Sequence, residues 1–374
     1  MTFGNGGDGQ AIDRDECGRG CRHAAPTSAH RFRSNAMEKT MKKHTLLALT
    51  ILMSSAAITA PAMAADLVVY DALDFAGTAV KAFTAKTGIT VDVVEPGSTG
   101  ETLGKIAAEG SNPQFDIVWL DGSAVFERML QDKVLQPIPA DVLGAVKYNA
   151  LGKTLIPADR AFLPTSASTT AIEVNTKKVA AGDMPKSWAD LAKFAGAVAA
   201  KDPNLSGPSY QFIAGLFQTN GVDGGKALLK TALTNKTISG LPSGGKVNKA
   251  VLTGDAKVGI NQDSSIISQM AKGEPVTAIY PTEGSVALPS GMGISAKTKH
   301  MDAVKKFVAF MTSKDGQTAM KDGDDTDFFF IPVIEGVAAK PGRKIDIPFI
   351  VLNDKAASAH ETEWKQWYRD NFVQ

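Results

Sequence analysis

From residue 65 onward the sequence predicts an α/β fold divided between two lobes, and three observations predict it. Short apolar runs alternate with stretches at helical spacing, the order that builds a largely parallel sheet. About 310 residues follow residue 64, enough for two domains at the usual size. Two extended segments, Phe162 to Asn175 and Ser285 to Ile294, read as crossings from one domain to the other and back.

Leu67-Val68-Val69-Tyr70 is a short apolar strand. Asp74 stands where it can cap a helix carrying Phe75, Ala79, Val80 and Phe83 on one face, and Gly88 ends that helix. Ile89 to Val94 alternates as a strand. Ser98-Thr99-Gly100-Glu101 opens a second helix through Leu103, Ile106 and Ala107, closed by Gly110, and Asp116 to Leu120 is a buried strand. Asp121-Gly122-Ser123 then turns into a helix with Val125, Phe126, Met129 and Leu130. Beyond the first crossing, an amphipathic helix is expected from Ser187 through Trp188, Leu191, Phe194 and Val198. Ser206-Gly207-Pro208-Ser209 starts another, with Phe212, Ile213, Leu216 and Phe217. Ala256 to Ile260 and Val276 to Tyr280 are strands of the second region. A helix with Val304, Phe307, Val308 and Met311 follows the return crossing. An acidic and aromatic loop from Asp322 to Phe330 and a helix ending in Trp364, Trp367 and Tyr368 complete the chain.

The segment Met41 to Ala64 is expected to be a cleavable secretory signal. Lys42 and Lys43 precede an apolar run, Leu46 to Met53, and Ala62-Met63-Ala64 has the small-x-small form of a cleavage site. Ser54, Ser55, Thr59 and Pro61 break the run well short of the roughly 20 apolar residues of a spanning helix. The mature protein is therefore expected to begin near Ala65 in the periplasm. Residues 1–40 read as an over-called gene start, with Met37 and Met41 as alternatives.

Without residues 1–64 the chain has no cysteine, since Cys17 and Cys21 both lie upstream, which excludes disulfides and thiol chemistry. The eight Lys/Arg and five Asp/Glu upstream leave 32 basic and 34 acidic side chains, a net charge of −2, with no excess to hold nucleic acid or anionic lipid. Only His300 and His360 remain, neither in a recognisable catalytic setting, and no GxSxG elbow is present. An exported hydrolase is the weaker reading. No catalytic residue, metal site or cofactor is expected.

Gly97-Ser98-Thr99-Gly100-Glu101 is the sharpest motif. Unpaired backbone N–H groups and the positive end of a helix dipole welcome phosphate, phosphonate or carboxylate, and the hydroxyls of Ser98 and Thr99 add donors. The same residues also spell a capping box, Ser98 with Glu101. Ser123 and the Ser206-Gly207 pair offer the same choice between ligand contact and N-cap. Asp263, with its neighbour Ser264, and Glu283 lie just beyond strands of the second region. Each carboxylate can bind an ammonium or hydroxyls, or be an ordinary loop acid. Tyr210 and Trp119 can stack on a ligand or fill the core.

The segments VVYDAL, AFTAKTGITVDVVEPGSTGE, QFDIVWLDGSAVFERM, VLQPIP, AIEVNTKKV, SWADLA and YPTEGSVALPSGMGI, taken in order, resemble a two-lobe periplasmic solute-binding protein of an ABC importer, class II type. The likeness is to the branch of ferric-iron, sugar-phosphate and 2-aminoethylphosphonate binders. It implies two α/β lobes joined by crossover strands, 65–168 with 284–315 and 169–283 with 316–374, closing on a small ligand by hinge motion. It also implies a monomer that delivers its ligand to an inner-membrane permease, and a sensor subunit would share these features. Ferric-iron binders of the branch use a consecutive tyrosine pair, absent here, and the comparable stretch reads Asn261-Gln262-Asp263-Ser264-Ser265. Iron is demoted accordingly. The expected ligand is a bipolar phosphonate or phosphate ester, its anion near Ser98, Thr99 and Gly100 and its polar tail near Asp263.

Overall fold

The computed structural model describes residues 65–374. The expected signal at 41–64 and the extension at 1–40 lie outside the described residues. The first lobe opens β1 (Leu67–Asp71), α1 (Ala76–Thr87), β2 (Val91–Val94), α2 (Thr99–Glu109), β3 (Ile117–Asp121), α3 (Ala124–Gln131), β4 (Leu135–Gln136), α4 (Ala140–Gly144) and α5 (Ala150–Thr154). The crossing strand β5 (Leu163–Asn175) leads into β6 (Val198–Ala199), α6 (Gly207–Ala232), α7 (Lys236–Ser239), α8 (Gly244–Thr253), β7 (Val258–Gln262), α9 (Asp263–Ala271) and β8 (Val276–Ile279). The return strand β9 (Ser285–Ser295) is followed by α10 (Met301–Met311), α11 (Lys314–Met320), β10 (Phe349–Ile350) and α12 (Asp354–Phe372).

The strand order is β2-β1-β3-β9-β5-β7-β6. The β2-β1-β3 and β6-β7 pairings are parallel, as alternating strands and helices dictate. The centre is antiparallel, because β5 and β9 run through both lobes in opposite senses. Leu163 to Thr169 of β5 pair with β9, and Thr170 to Val174 pair with β7, so one continuous strand joins the two halves. Every residue of both crossing strands is buried.

Each lobe has its own apolar core. Phe83 and Trp119 pack edge to face on Phe307 in the first, with Phe75 tilted against Trp119. Trp188, Phe212, Phe217, Trp364 and Tyr368 fill the second. The chain returns across the hinge only after Ile347. Phe328, Phe330, Ile331 and Ile347 pack in the first core, and only Leu352 to Phe372 pack in the second, whereas the sequence reading gives all of 316–374 to the second lobe.

Two local expectations fail for identifiable reasons. The segment from Ser187 forms a 3-10 helix at Ala189–Phe194 and then β6, because Gly196 takes a positive φ of 80° and turns the chain into the sheet. Asp74 does not cap α1. Its backbone N–H donates to Asp327 instead (2.9 Å), and Phe75 holds the cap position without a side-chain bond.

Candidate functional site

A cavity of about 230 Å³ lies between the lobes, at the carboxyl ends of β1, β3 and β7, where open α/β sheets bind ligands. The first lobe contributes Ala72, Asp74, Ser98, Thr99 and Asp121, joined by Thr326 and Asp327 from the acidic loop. The second contributes Lys201, Ser206, Pro208, Ser243, Gly244, Gly245, Asn261, Gln262 and Ser265. Three helices start at this wall. Ser98, Ser206 and Ser243 cap α2, α6 and α8, each accepting from the backbone N–H three residues on.

Lys201 lies two residues past the end of β6 and is 6% exposed. Among the described residues no carboxylate stands within ion-pairing distance of its ammonium. Burial pushes that ammonium down to about 8, against the opposing pull of Asp121 and Asp327. Facing it are carboxyls held above their ordinary range. Burial raises Asp74 and Asp121, and raises Asp327 well above, the neighbouring Asp121 and Asp74 adding repulsion in the last case. Behind them Asp71 is raised well above by burial, with one carboxyl oxygen lacking a partner. Asp121 is held by Ser290 Oγ (2.5 Å) and by Gln262 Nε2 (2.7 Å), the second bond crossing from lobe to lobe.

The lobes meet beside the cavity in a seam of glycines. A Cβ on Gly207 would come 2.7 Å from the Asp121 carbonyl oxygen and 3.1 Å from Thr99 Oγ1, and one on Gly100 would come 3.1 Å from the carbonyl oxygens of Asn204 and Leu205. Only hydrogen fits at these two positions while the lobes are in contact.

The residues singled out from sequence divide accordingly. Ser98, Thr99 and Ser206 line the cavity, although Ser98 is engaged in its capping box, donating its N–H to Glu101 Oε2 (2.7 Å) and accepting from Glu101 N–H (3.3 Å). Gly100 and Gly207 form the seam. Ser123 bonds Gln211 Nε2 (2.8 Å) and Asp354 at the edge of a separate cavity. Tyr210 is buried with its hydroxyl donating to Ala357 O. Ser264 is buried outside the cavity wall. Glu283 is exposed, its carboxylate accepting the Trp188 N–H (2.5 Å). Asp263 lies away from the cavity, fully buried. It is paired with Arg343 and accepts the Thr169 N–H (3.0 Å) and the Tyr280 hydroxyl (3.2 Å), so its charge is spent within the fold rather than offered to a ligand tail.

Sequence reasoning missed Lys201, Asp74, Asp121, Asp327, Asn261, Gln262 and the Ser243-Gly244-Gly245 helix start. The last carries the same signature as the starts at 98 and 206 and was legible. Lys201 reads as an ordinary surface lysine until β6 and α6 close over it. Among the described residues no three His, Asp or Glu side chains gather as a metal site would need, and none of the five tyrosines lines the cavity.

Two lobes on crossover strands around a polar interlobe cavity are an architecture suited to closing on a small solute. Residues 78–347 match the family described as bacterial extracellular solute-binding protein, and the chain belongs to that family. It is similar to an uncharacterised protein of Haemophilus influenzae, 27% identical over 66% of this chain and 72% of that one. It is also similar to the Fe(3+)-binding periplasmic protein of Serratia marcescens, 25% identical over 70% and 76%. Among solved structures, the periplasmic binding protein AfuA of Actinobacillus pleuropneumoniae with fructose-6-phosphate bound superposes at a TM-score of 0.71. It is 23% identical, covering 82% of this chain and 98% of that one.

Proposed function

We propose that this protein is exported to the periplasm by the signal at 41–64 and there captures a small organic solute bearing a phosphonate or phosphate and a protonated amine, such as 2-aminoethylphosphonate, for an ABC permease. The observation that carries this reading is Lys201, a buried ammonium without an ionic partner at the wall of the polar interlobe cavity. Such a group demands an anion, since an isolated charge out of water is costly. The starts of α2, α6 and α8 supply N–H groups and hydroxyls around the same point. Asp74, Asp121 and Asp327 across the cavity suit an amine. The polarity runs opposite to the sequence expectation, with the cation on the second lobe and the acids on the first. A sugar phosphate is the second reading, favoured by the amides of Asn261 and Gln262 and by the fructose-6-phosphate bound to AfuA. The relatives named for ferric iron argue for a third, which the absence of tyrosine from the cavity wall opposes.

Thermal unfolding of residues 65–374 with 2-aminoethylphosphonate, fructose 6-phosphate, inorganic phosphate and ferric citrate tests the proposal. A solute at 100 times its Kd adds about 2.7 kcal/mol. The expected result is stabilisation by the aminophosphonate. Stabilisation by ferric citrate alone would overturn it.

A further inference from the structure

Behind the second-lobe wall of the cavity lies a polar cluster with no ion pair. Glu173 of β5 is fully buried, and its Oε2 accepts from Asn261 Nδ2 (3.1 Å). Asn261, at the cavity wall, cannot be turned over: its Oδ1 accepts the Gln262 N–H (2.9 Å). Its Nδ2 therefore points inward and also donates to Asn248 Oδ1 of α8 (2.7 Å). Asn248 in turn donates its Nδ2 to Ser265 Oγ (2.9 Å), and Ser265 lines the cavity as well.

This arrangement sets Asn248 Oδ1 only 2.9 Å from Glu173 Oε2 and 3.3 Å from Oε1. Two oxygens that close repel unless a hydrogen lies between them. Turning the Asn248 amide over would aim its NH2 at Glu173, but the same NH2 would then stand 2.7 Å from the NH2 of Asn261, two donors opposed. Reversing both amides would strand the Gln262 N–H and bring the Asn261 oxygen against Glu173. A proton on Glu173 satisfies every contact with neither amide reversed.

We propose that Glu173 is a carboxylic acid in the folded protein and serves as a positioning residue for the solute site, its proton donated to Asn248 and thereby fixing Asn261 and Ser265 as they face the cavity. Its surroundings agree. The titratable residues on the elements packed against it are Lys246 and Lys249 of α8, both exposed, and Asp263 of α9, paired with Arg343. β7 and β8 carry none. Burial pushes Glu173 up to about 7, the Asn261 bond opposing it. Because the folded value lies above the ordinary one, the stability gained from the protonated form is complete below an ordinary glutamate pKa and is lost as pH rises through about 7.

The test compares the wild type with Glu173→Gln, whose Nε2, standing where the protonated Oε2 stands, donates to Asn248 but gives up the bond from Asn261. Thermal unfolding from pH 4.5 to 8 is expected to show the midpoint of the variant rising relative to that of the wild type by several degrees between about pH 5.5 and 8, as the wild type alone loses the bond made by its proton. A difference between the two midpoints that stays constant from about pH 5.5 to 8 would mean that Glu173 is an ionised acceptor throughout and would overturn the proposal. Should the variant fail to fold, carboxyl 13C titration of the wild type decides. Glu127, pushed up to about 7 by Asp159, is the other raised glutamate. The Glu127→Gln protein must still show one glutamate protonated at pH 6, and finding none would overturn the proposal. The link to the cavity rests on its reading as the solute site. Affinity for 2-aminoethylphosphonate is expected to fall between pH 6 and 8 more steeply in the wild type than in Glu173→Gln. No binding by either protein would defeat the solute assignment and leave the stability comparison to stand.

Discussion

Arg343 and Lys201 are two buried cations of the second lobe's surroundings, each 6% exposed, and they are treated oppositely. Arg343 is locked to Asp263, whose other hydrogen bonds come from β5 and Tyr280 at the hinge. Lys201 has no such partner and borders a cavity with carboxyls on its far side. A buried charge with its counter-ion supplied by the fold is architecture. One left uncompensated beside a space is an invitation to a ligand, because the missing partner must come from outside.

The contrast is broken most severely at the paired cation. Asp263→Ala leaves the Arg343 guanidinium buried and unpaired, and denaturant unfolding is expected to find the protein destabilised by about 3–5 kcal/mol. Ligand affinity measured on whatever remains folded is expected to change little, since Asp263 does not line the cavity.

Lys201→Met should behave in the reverse way. Its affinity for an anionic solute is expected to fall on the order of 100-fold, as loss of a buried charge-assisted contact costs about 2–3 kcal/mol. The free protein is expected to become more stable at neutral pH, by an amount on the order of 2–3 kcal/mol. The sign follows from the folded ammonium lying near 8, below its ordinary value. The penalty of burying it is present below about pH 8 and disappears as pH rises towards its ordinary value, so the stability difference closes in alkali. Wild-type affinity should fall over the same interval, with proton uptake on binding, measured by calorimetry in buffers of different ionisation enthalpy. A flat affinity profile would remove Lys201 from the site.

The smallest effect sharpens the comparison without touching either cation. Gly207→Ala drives a methyl group against the Asp121 carbonyl, a backbone atom that cannot yield, so the lobes must part to accommodate it. Affinity is expected to weaken by about 10-fold with the fold retained, the range of a modest packing clash. X-ray scattering should record a larger radius of gyration in the liganded variant than in the liganded wild type.

Much of this protein was determined by local sequence alone. Leu67 to Tyr70, Phe75 to Phe83 and Asp116 to Leu120 declare their strands and helix by period. Ser98 with Glu101 declares a capped helix start, because such signals act within one turn. The crossings were equally legible, Phe162 to Asn175 as an extended stretch rich in Ser and Thr and Ser285 to Ile294 as an alternating one. What no local pattern carries is which polar side chain ends with a partner. Asp121 closes a strand and Asp263 immediately follows one, yet Asp263 meets Arg343, 80 residues on, and Asp121 a cavity. Lys201 is distinguished from the exposed lysines only by the lobe that folds over it. The reason is that burial and charge compensation are sums over neighbours distant in the chain. The sequence specified the elements, and the meeting of the two lobes decided which of their charges hold the fold and which are left for a ligand.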